Sequence, residues 1–443
     1  MKEKDFVCTG DCITCGRCFT KEEKKEEGKK GTMVFPLGFQ PDLNLKGLGL
    51  SFDIGTTTLG AFLWDLEERK LLRSTSDINP QGKYGTDIIS RITYIQRNPE
   101  GLKHLREILL ETIHSLKDDL LREADKSEKD ITKVTFAGNT LMSHILLNKD
   151  PIGLATAPFK PSYEGSVTKT GKKFKFSDNT EIYVLANIAG HVGGDITAGV
   201  LASSILNKEG SHLFIDLGTN GEIALVKDGK GVVCSTAAGP AFEAASLSCG
   251  TRAVKGAIDK IEINTTLKVH TIGDEPPIGI CGTGAVSVVS ELLRSGLMDK
   301  TGRLESDTYI GKTKHYILSE EEDVYITQKD IRELQLAKGA LRAGLEILMK
   351  NLDLTFKDLT SINIAGAFGN TIDIEAAINI GILPDVERNK FNLLGNGAGT
   401  GACMVLLSKS KRDEAETIPH KLDHVELADQ EEFQELFLHH LNF

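Results

Sequence analysis

LGLSFDIGTTTLGAFLWD (Leu48–Asp65) and SHLFIDLGTNGEIALVKD (Ser211–Asp228) share one grammar: an apolar run, then Asp-x-Gly-Thr, then a second apolar run. Each predicts two strands joined by a turn in which glycine frees the backbone, with a polar turn and a third strand to follow. A second pair, KVTFAGNT (Lys133–Thr140) and SINIAGAFGN (Ser361–Asn370), gives a short apolar strand that ends in Ala-Gly and opens towards a helix. The pairs recur in the same order, so the chain is an internal duplication of two similar domains. Helical periodicity between them, as in GLKHLREILLETIHSLKDDLL (Gly101–Leu121), completes an α/β architecture with mixed sheets and a cleft between the domains.

The expected divisions are a Cys-rich segment at 1–20, a linker at 21–46, a first domain at 47–209 and a second at 210–443 with C-terminal helices. Within the linker, nine of the ten residues from Lys21 to Lys30 are charged, and Pro36 and Pro41 follow, which predicts an extended tether for the cysteines. Residues 306–330 are polar and read as a peripheral insertion. A net charge of −11 disfavours general binding to nucleic acid or to anionic membrane. The N-terminus lacks an apolar signal core and no run reaches membrane-spanning length, so a cytoplasmic protein is expected.

Each Asp-x-Gly-Thr turn lets amides and hydroxyls converge on phosphate oxygens, while an aspartate at a strand end can hold hydrated Mg²⁺. Gly55, Thr56, Thr57 and Thr58 form one such loop and Gly218, Thr219, Asn220 and Gly221 the other, with Asp53 and Asp216 aimed at the metal. A single Asp-Gly is usually only a turn, and it is the duplication that favours a polyphosphate site. IAGAFGN (Ile364–Asn370) could seat an adenosine, although alone it would be an ordinary connection.

DIGTTTLG, NPQGKYGTDIISRI, FAGNTLMSHILL, IAGHVGGDITAG, IDLGTNGEI, CSTAAGPAFEAA, GICGTGAVSVV, TQKDIRELQLAKGAL and IAGAFGN, in that order, resemble the ASKHA-type reductive activators of corrinoid proteins. ASKHA denotes the acetate and sugar kinase, Hsc70 and actin superfamily. The resemblance runs from about Leu48 to about Leu407. It implies two ribonuclease-H-like domains (actin, sugar-kinase and Hsc70 type) around ATP and Mg²⁺. Asp53–Thr58 and Asp216–Glu222 would be the phosphate loops, and Gly366, Phe368, Gly369 and Asn370 would lie in the adenosine loop. Gly190–Asp195 and Gly395–Gly401 would be hinge segments. Glu222 and Glu243 both stand open as the carboxylate that polarises the attacking water, with Glu222 preferred. The implied reaction is one-electron reduction of Co(II) to Co(I) on a corrinoid protein of a methyltransferase system, coupled to ATP. The electron would come from a low-potential donor through an iron–sulfur centre, and the resemblance admits a homodimer.

Better-known members carry an N-terminal ferredoxin domain or a C-terminal module with paired cluster motifs, and neither is found in this sequence. It has instead CTGDCITCGRC, with Cys8, Cys12, Cys15 and Cys18. Tetrahedral zinc would draw four sulfurs from one short loop to about 3.8 Å of each other, a cramped arrangement. Cysteines two or three residues apart suit the larger 4Fe–4S cubane better. Zinc, a 2Fe–2S centre and a redox disulfide are the rivals. Cys234, Cys249, Cys281 and Cys403 read as small buried side chains, with Cys249 and Cys281 keeping a lesser claim as ligands of a cluster at a subunit interface. His144 and His191 read as packed and hydrogen-bonded. Two other functions compete with reductive activation. One is a nucleotide-gated metallochaperone or cluster-assembly ATPase, and the other is a small-molecule kinase whose cysteines are a zinc clip.

Overall fold

The β-branched and aromatic residues of the first repeat build a hairpin of β1 (Leu48–Ile54) and β2 (Thr58–Asp65), continued by β3 (Lys70–Ile78). The structure is a computed structural model and describes residues 33–42, 45–366 and 371–443. Helices α1 (Ile88–Arg97) and α2 (Gly101–Ala124) lead to β4 (Ile131–Gly138) and α3 (Thr140–Leu147). Strands β5 (Gly165–Thr170) and β6 (Glu181–Asn187) and helix α4 (Gly194–Ser203) complete the first half. The sheet order is β3-β2-β1-β4-β6-β5, with β1, β4 and β6 parallel and the outer strands antiparallel to their neighbours.

The second half repeats this plan. Strands β7 (Ser211–Leu217), β8 (Gly221–Lys227) and β9 (Lys230–Thr236) form its antiparallel meander. Next come β10 (Ala257–Ile263), β11 (Leu267–Thr271), β12 (Gly279–Ile280) and α5 (Gly282–Arg294). Strands β13 (Tyr309–Ile310), β14 (Thr313–Ser319) and β15 (Val324–Thr327) precede the long helix α6 (Gln328–Asn351). The tail holds β16 (Leu359–Gly366), α7 (Ile374–Asn379), β17 (Phe391–Gly395), α8 (Gly397–Leu407), α9 (Lys409–Thr417), β18 (Leu422–His424) and α10 (Phe433–His439). The order β17-β16-β7-β8-β9-β18 repeats the first sheet over five strands: β9, β8, β7, β16 and β17 stand where β3, β2, β1, β4 and β6 do, and β18 and β5 are the strands added at opposite edges. No described helix is long and apolar enough to cross a membrane.

Strand β1 is buried on both faces because helices cover both. Leu50, Phe52 and Ile54 pack with Leu105, Leu109 and Ile113 of α2, each fully buried side chain contributing about 1.5–3 kcal/mol. On the other face Ser51 Oγ lies 2.8 Å from Cys403 Sγ of α8, a helix from the second half. Helices α4 and α8 cross at backbone contact. A Cβ at Gly401 would lie 2.1 Å from the Ala198 carbonyl oxygen, so only glycine admits this approach.

Two sequence expectations change here. Leu318, Val324 and Ile326 of the β14–β15 hairpin enter the main core, so residues 306–330 are not merely peripheral. Nor is the end of the linker a free span. Met33 pairs with Gly395 in an antiparallel bridge and is 2% exposed. Phe35 stacks on Phe39 at 5.3 Å and meets the edge of Trp64 at 6.0 Å. Asp42 accepts hydrogen bonds from Ser408 Oγ and the Lys409 and Ser410 amides at the start of α9. The charged run Lys21–Lys30 lies outside the described residues.

Candidate nucleotide site

Asp53 and Asp216 occupy equivalent places, each one residue before the end of the first strand of its hairpin. Their partners across the hairpin differ. Asp53 faces Gly60, whereas Asp216 faces Glu222. Directly paired residues share a face, so the second hairpin sets two carboxylates side by side where like charges repel.

The repulsion extends across the cleft. Burial pushes Asp53 up to about 6, moderated by the Asn396 amide, whose Nδ2 donates to Asp53 Oδ2 at 2.9 Å. Burial and the charge of Asp53 raise Asp195, in the first turn of α4, to about 7. Burial, together with Asp195, Asp53 and Glu243, raises Asp216 to about 8. Glu222 is also held well above the usual range, by burial first and then by Asp195 and Asp216. These groups are perturbed chiefly by desolvation and by one another, and a divalent cation is the charge that would let them ionise together. Among the described residues, no three His, Cys, Asp or Glu side chains already form a metal cage. Mg²⁺ fits without one, because it keeps its waters and uses one or two carboxylates plus phosphate oxygens.

The first loop is built to receive an anion, since all four of its carbonyls are occupied. Gly55 O accepts from Asn79 Nδ2 (3.0 Å), Thr57 O from the Asn79 amide (2.8 Å) and Thr58 O from the Gly55 amide (3.0 Å). Thr56 O accepts from the Arg91 guanidinium (2.5 Å). Arg91 is 1% exposed, and burial lowers its pKa only to about 10, so it stays charged beneath the loop. Asn139, the N-cap of α3, donates to Thr56 Oγ1 (2.6 Å) and turns that hydroxyl towards the scaffold.

The two loops meet. Thr57 Oγ1 stands 3.1 Å from Thr219 Oγ1, and Glu243 Oε2 accepts from both, at 3.2 and 2.9 Å. The structure thus brings together Asp53, Asp216, Glu222, Gly55, Thr57, Gly218 and Thr219. Gly221 is buried in β8, its carbonyl accepting from Thr236, and Thr58 is exposed where β2 begins. Asn220 bonds the Glu222 carboxylate. Phe368, Gly369, Asn370 and the four cysteines of 8–18 lie outside the described residues. His144 is packed and bonded to Thr140 O and the Ser162 amide, as the sequence suggested, and His191 lies 5.1 Å from the Phe159 ring. Asn79, Arg91, Asn139, Asp195 and Asn396 were not foreseen as site residues, although all five fall in or beside the motifs quoted above.

Gly366 closes the site from β16. Its φ is +90°, and a Cβ there would lie 2.4 Å from Asp216 Oδ1 and 2.5 Å from Leu217 O. Gly366→Ala is therefore expected to shift Asp216 and reduce ATP turnover at least about tenfold in a protein that still folds. Phosphate release measures it, and undiminished turnover would detach the placement of Asp216 from the chemistry.

Residues 48–208 match the family described as the RACo middle region, and residues 210–443 match the C-terminal domain of RACo, the ASKHA domain. The chain is 36% identical over 412 residues to the corrinoid activation enzyme RamQ of Eubacterium limosum, spanning 88% of this chain and 69% of that protein. It is 26% identical over 431 residues to the Co(II) methylated amine-specific corrinoid protein reductase of Methanosarcina barkeri, spanning 89% of this chain and 77% of that one. The solved structure of a reductive activator for a corrinoid, iron–sulfur protein superposes with a TM-score of 0.83 at 35% identity, over 91% of this chain and 67% of that one.

Proposed function

The chain belongs to the RACo family of ASKHA-domain proteins, and from that membership we propose that it is an ATP-dependent reductive activator of a corrinoid protein. The observation that carries this reading is the meeting of two duplicated Asp-x-Gly-Thr loops, one from each domain, above a floor of mutually repelling carboxylates. Such a floor needs a cation, and such loops need a polyphosphate.

The two loops would grip the phosphates from opposite sides, and Asp53 and Asp216 would hold Mg²⁺, which would neutralise the phosphate charge there. Glu222 takes a proton from the attacking water as the new bond to the γ-phosphorus forms and the bond to the bridging oxygen breaks. Burial, then Asp195 and Asp216, hold its carboxyl well above the usual range, and a cation beside it would favour the ionised form that accepts this proton. ATP can do mechanical work only by favouring one domain arrangement over another, and Gly190–Asp195 and Gly395–Gly401, at the starts of α4 and α8, would be the hinge segments. Cys8, Cys12, Cys15 and Cys18 would hold an iron–sulfur cluster, expected as 4Fe–4S, which would supply single-electron transfer from a low-potential donor. The corrinoid Co(II) gains one electron and becomes Co(I).

The test is anaerobic. Purified protein, a Co(II) corrinoid protein, a low-potential reductant and ATP should give a growing Co(I) absorption band that is absent without ATP. ATP hydrolysis indifferent to every corrinoid protein offered would point instead to the metallochaperone or kinase readings. So would a colourless protein that carries zinc.

A further inference from the structure

Asn396 stands where three parts of the molecule meet: the first phosphate-loop strand, the start of α8 and the chain entering at Met33. Its Nδ2 donates to Asp53 Oδ2 at 2.9 Å. Its Oδ1 accepts from the Gly399 amide at 2.6 Å and caps α8. Gly395, the residue before it, holds φ +67° and pairs on one side with Ala365 of β16 and on the other with Met33. A second line of contacts returns to the same place, for Cys403 of α8 lies 3.4 Å from Met33 Sδ and receives the Trp64 indole N–H at 3.3 Å. Trp64 in turn meets the edge of Phe35.

We infer that Asn396 is a positioning residue that couples the metal-binding carboxylate Asp53 to the root of the cysteine-bearing N-terminal segment at Met33. The inference rests on the nucleotide reading of the cleft. An unliganded Asp53 draws the Asn396 amide towards it. When a cation-bound nucleotide takes up that oxygen, the amide loses its acceptor, and the cap and the helix it starts settle into a second position. Met33 is fixed to that helix and to Gly395, so its position would follow theirs. ATP would thereby bias the place of Met33, the root of the N-terminal segment, with both sites acting on one shared element.

The protein carries its own reporter, since Trp64 is the single tryptophan in the sequence and sits at the anchor. The experiment compares full-length wild type with Asn396→Ser, which keeps a capping oxygen and removes the amide that donates to Asp53. MgAMP-PNP binding is read by calorimetry and Trp64 emission by fluorescence. Wild type should bind and change its emission. The variant, read at a MgAMP-PNP concentration that saturates it whatever its affinity, should lose most of that change. A variant that binds and keeps the full change overturns the inference, and so does a wild type that binds without any change. A wild type that fails to bind MgAMP-PNP refutes the nucleotide reading itself, which is a separate result. Hydrogen exchange on wild type needs no variant to fold. MgAMP-PNP should slow exchange in 397–407 and in 33–42 together, and protection that stops short of 33–42 counts against the coupling.

Discussion

Asp216→Asn is expected to raise the melting temperature of the nucleotide-free protein at pH 8 while cutting ATP turnover at least about 100-fold. Both effects come from one carboxyl. Burial, with Asp195, Asp53 and Glu243 around it, moves Asp216 from 3.8 in the unfolded chain to about 8 in the folded one. Between those values the native protein holds a proton that the unfolded chain has released, so stability falls as pH rises through that window. Below about 4 both states are protonated and the penalty is absent; above about 8 it is present in full. Asp53 and Asp195 shift in the same direction, to about 6 and about 7, and steepen the loss. Asparagine keeps the shape and never ionises, which recovers stability on the order of a few kcal/mol, or several degrees in melting temperature. The same substitution removes one of the two charges that the proposed Mg²⁺ site would use. Melting curves at pH 6 and 8, with and without MgATP, check this alongside phosphate release. A variant that melts lower than wild type at pH 8 would show that the neighbours do not load Asp216 as described, and normal turnover would remove Asp216 from the metal's ligands.

The residues that announce this site in the sequence are those whose chemistry is local. Asp53 and Asp216 can be read because each ends an apolar strand and is followed by Gly-Thr, and the strand limits Leu48–Ile54 follow from the same pattern. The duplication of the strand–turn–strand unit was legible for that reason too. What escaped depends on contacts between distant parts of the chain. Arg91 lies in a helix with ordinary amphipathic spacing, and nothing near it says that its guanidinium reaches back to the Thr56 carbonyl. Asn139 and Asn396 look like helix caps, which they are; only the packing of α3 under the first loop and of α8 across the first sheet turns their amides to Thr56 and Asp53. Asp195 stands in a glycine-rich stretch read as hinge, and its charge matters because α4 brings it under the cleft. The docking of 33–42 was hidden by composition: prolines and glycines signal extended chain, whereas Met33 and Phe35, taken singly, do not signal burial.

Cys12→Ala is expected to abolish Co(I) formation altogether while MgATP binding and the melting of the body stay as in wild type. The segment 8–18 supplies four thiolates in eleven residues, and a cluster deprived of one of four ligands loses a corner that alanine cannot replace. The described body offers no substitute. Cys234 is buried and its thiol is pushed up by desolvation, far from the thiolate form that binds metal. Cys281 is buried beside Ile258 O and Thr283, and Cys403 is enclosed by Ser51, Trp64 and Met33. Cys249 is the one partly accessible thiol among the described residues, and burial raises its pKa as well. One accessible thiol cannot by itself hold a cluster, so the described residues of one chain offer no second cluster site. Iron and sulfide content and the EPR signal of the reduced protein should fall with the Co(I) band, while calorimetry with MgAMP-PNP stays unchanged. Full Co(I) formation by Cys12→Ala would mean that the electron enters elsewhere, and the anchoring of Met33 beside the hinge would then need a different purpose.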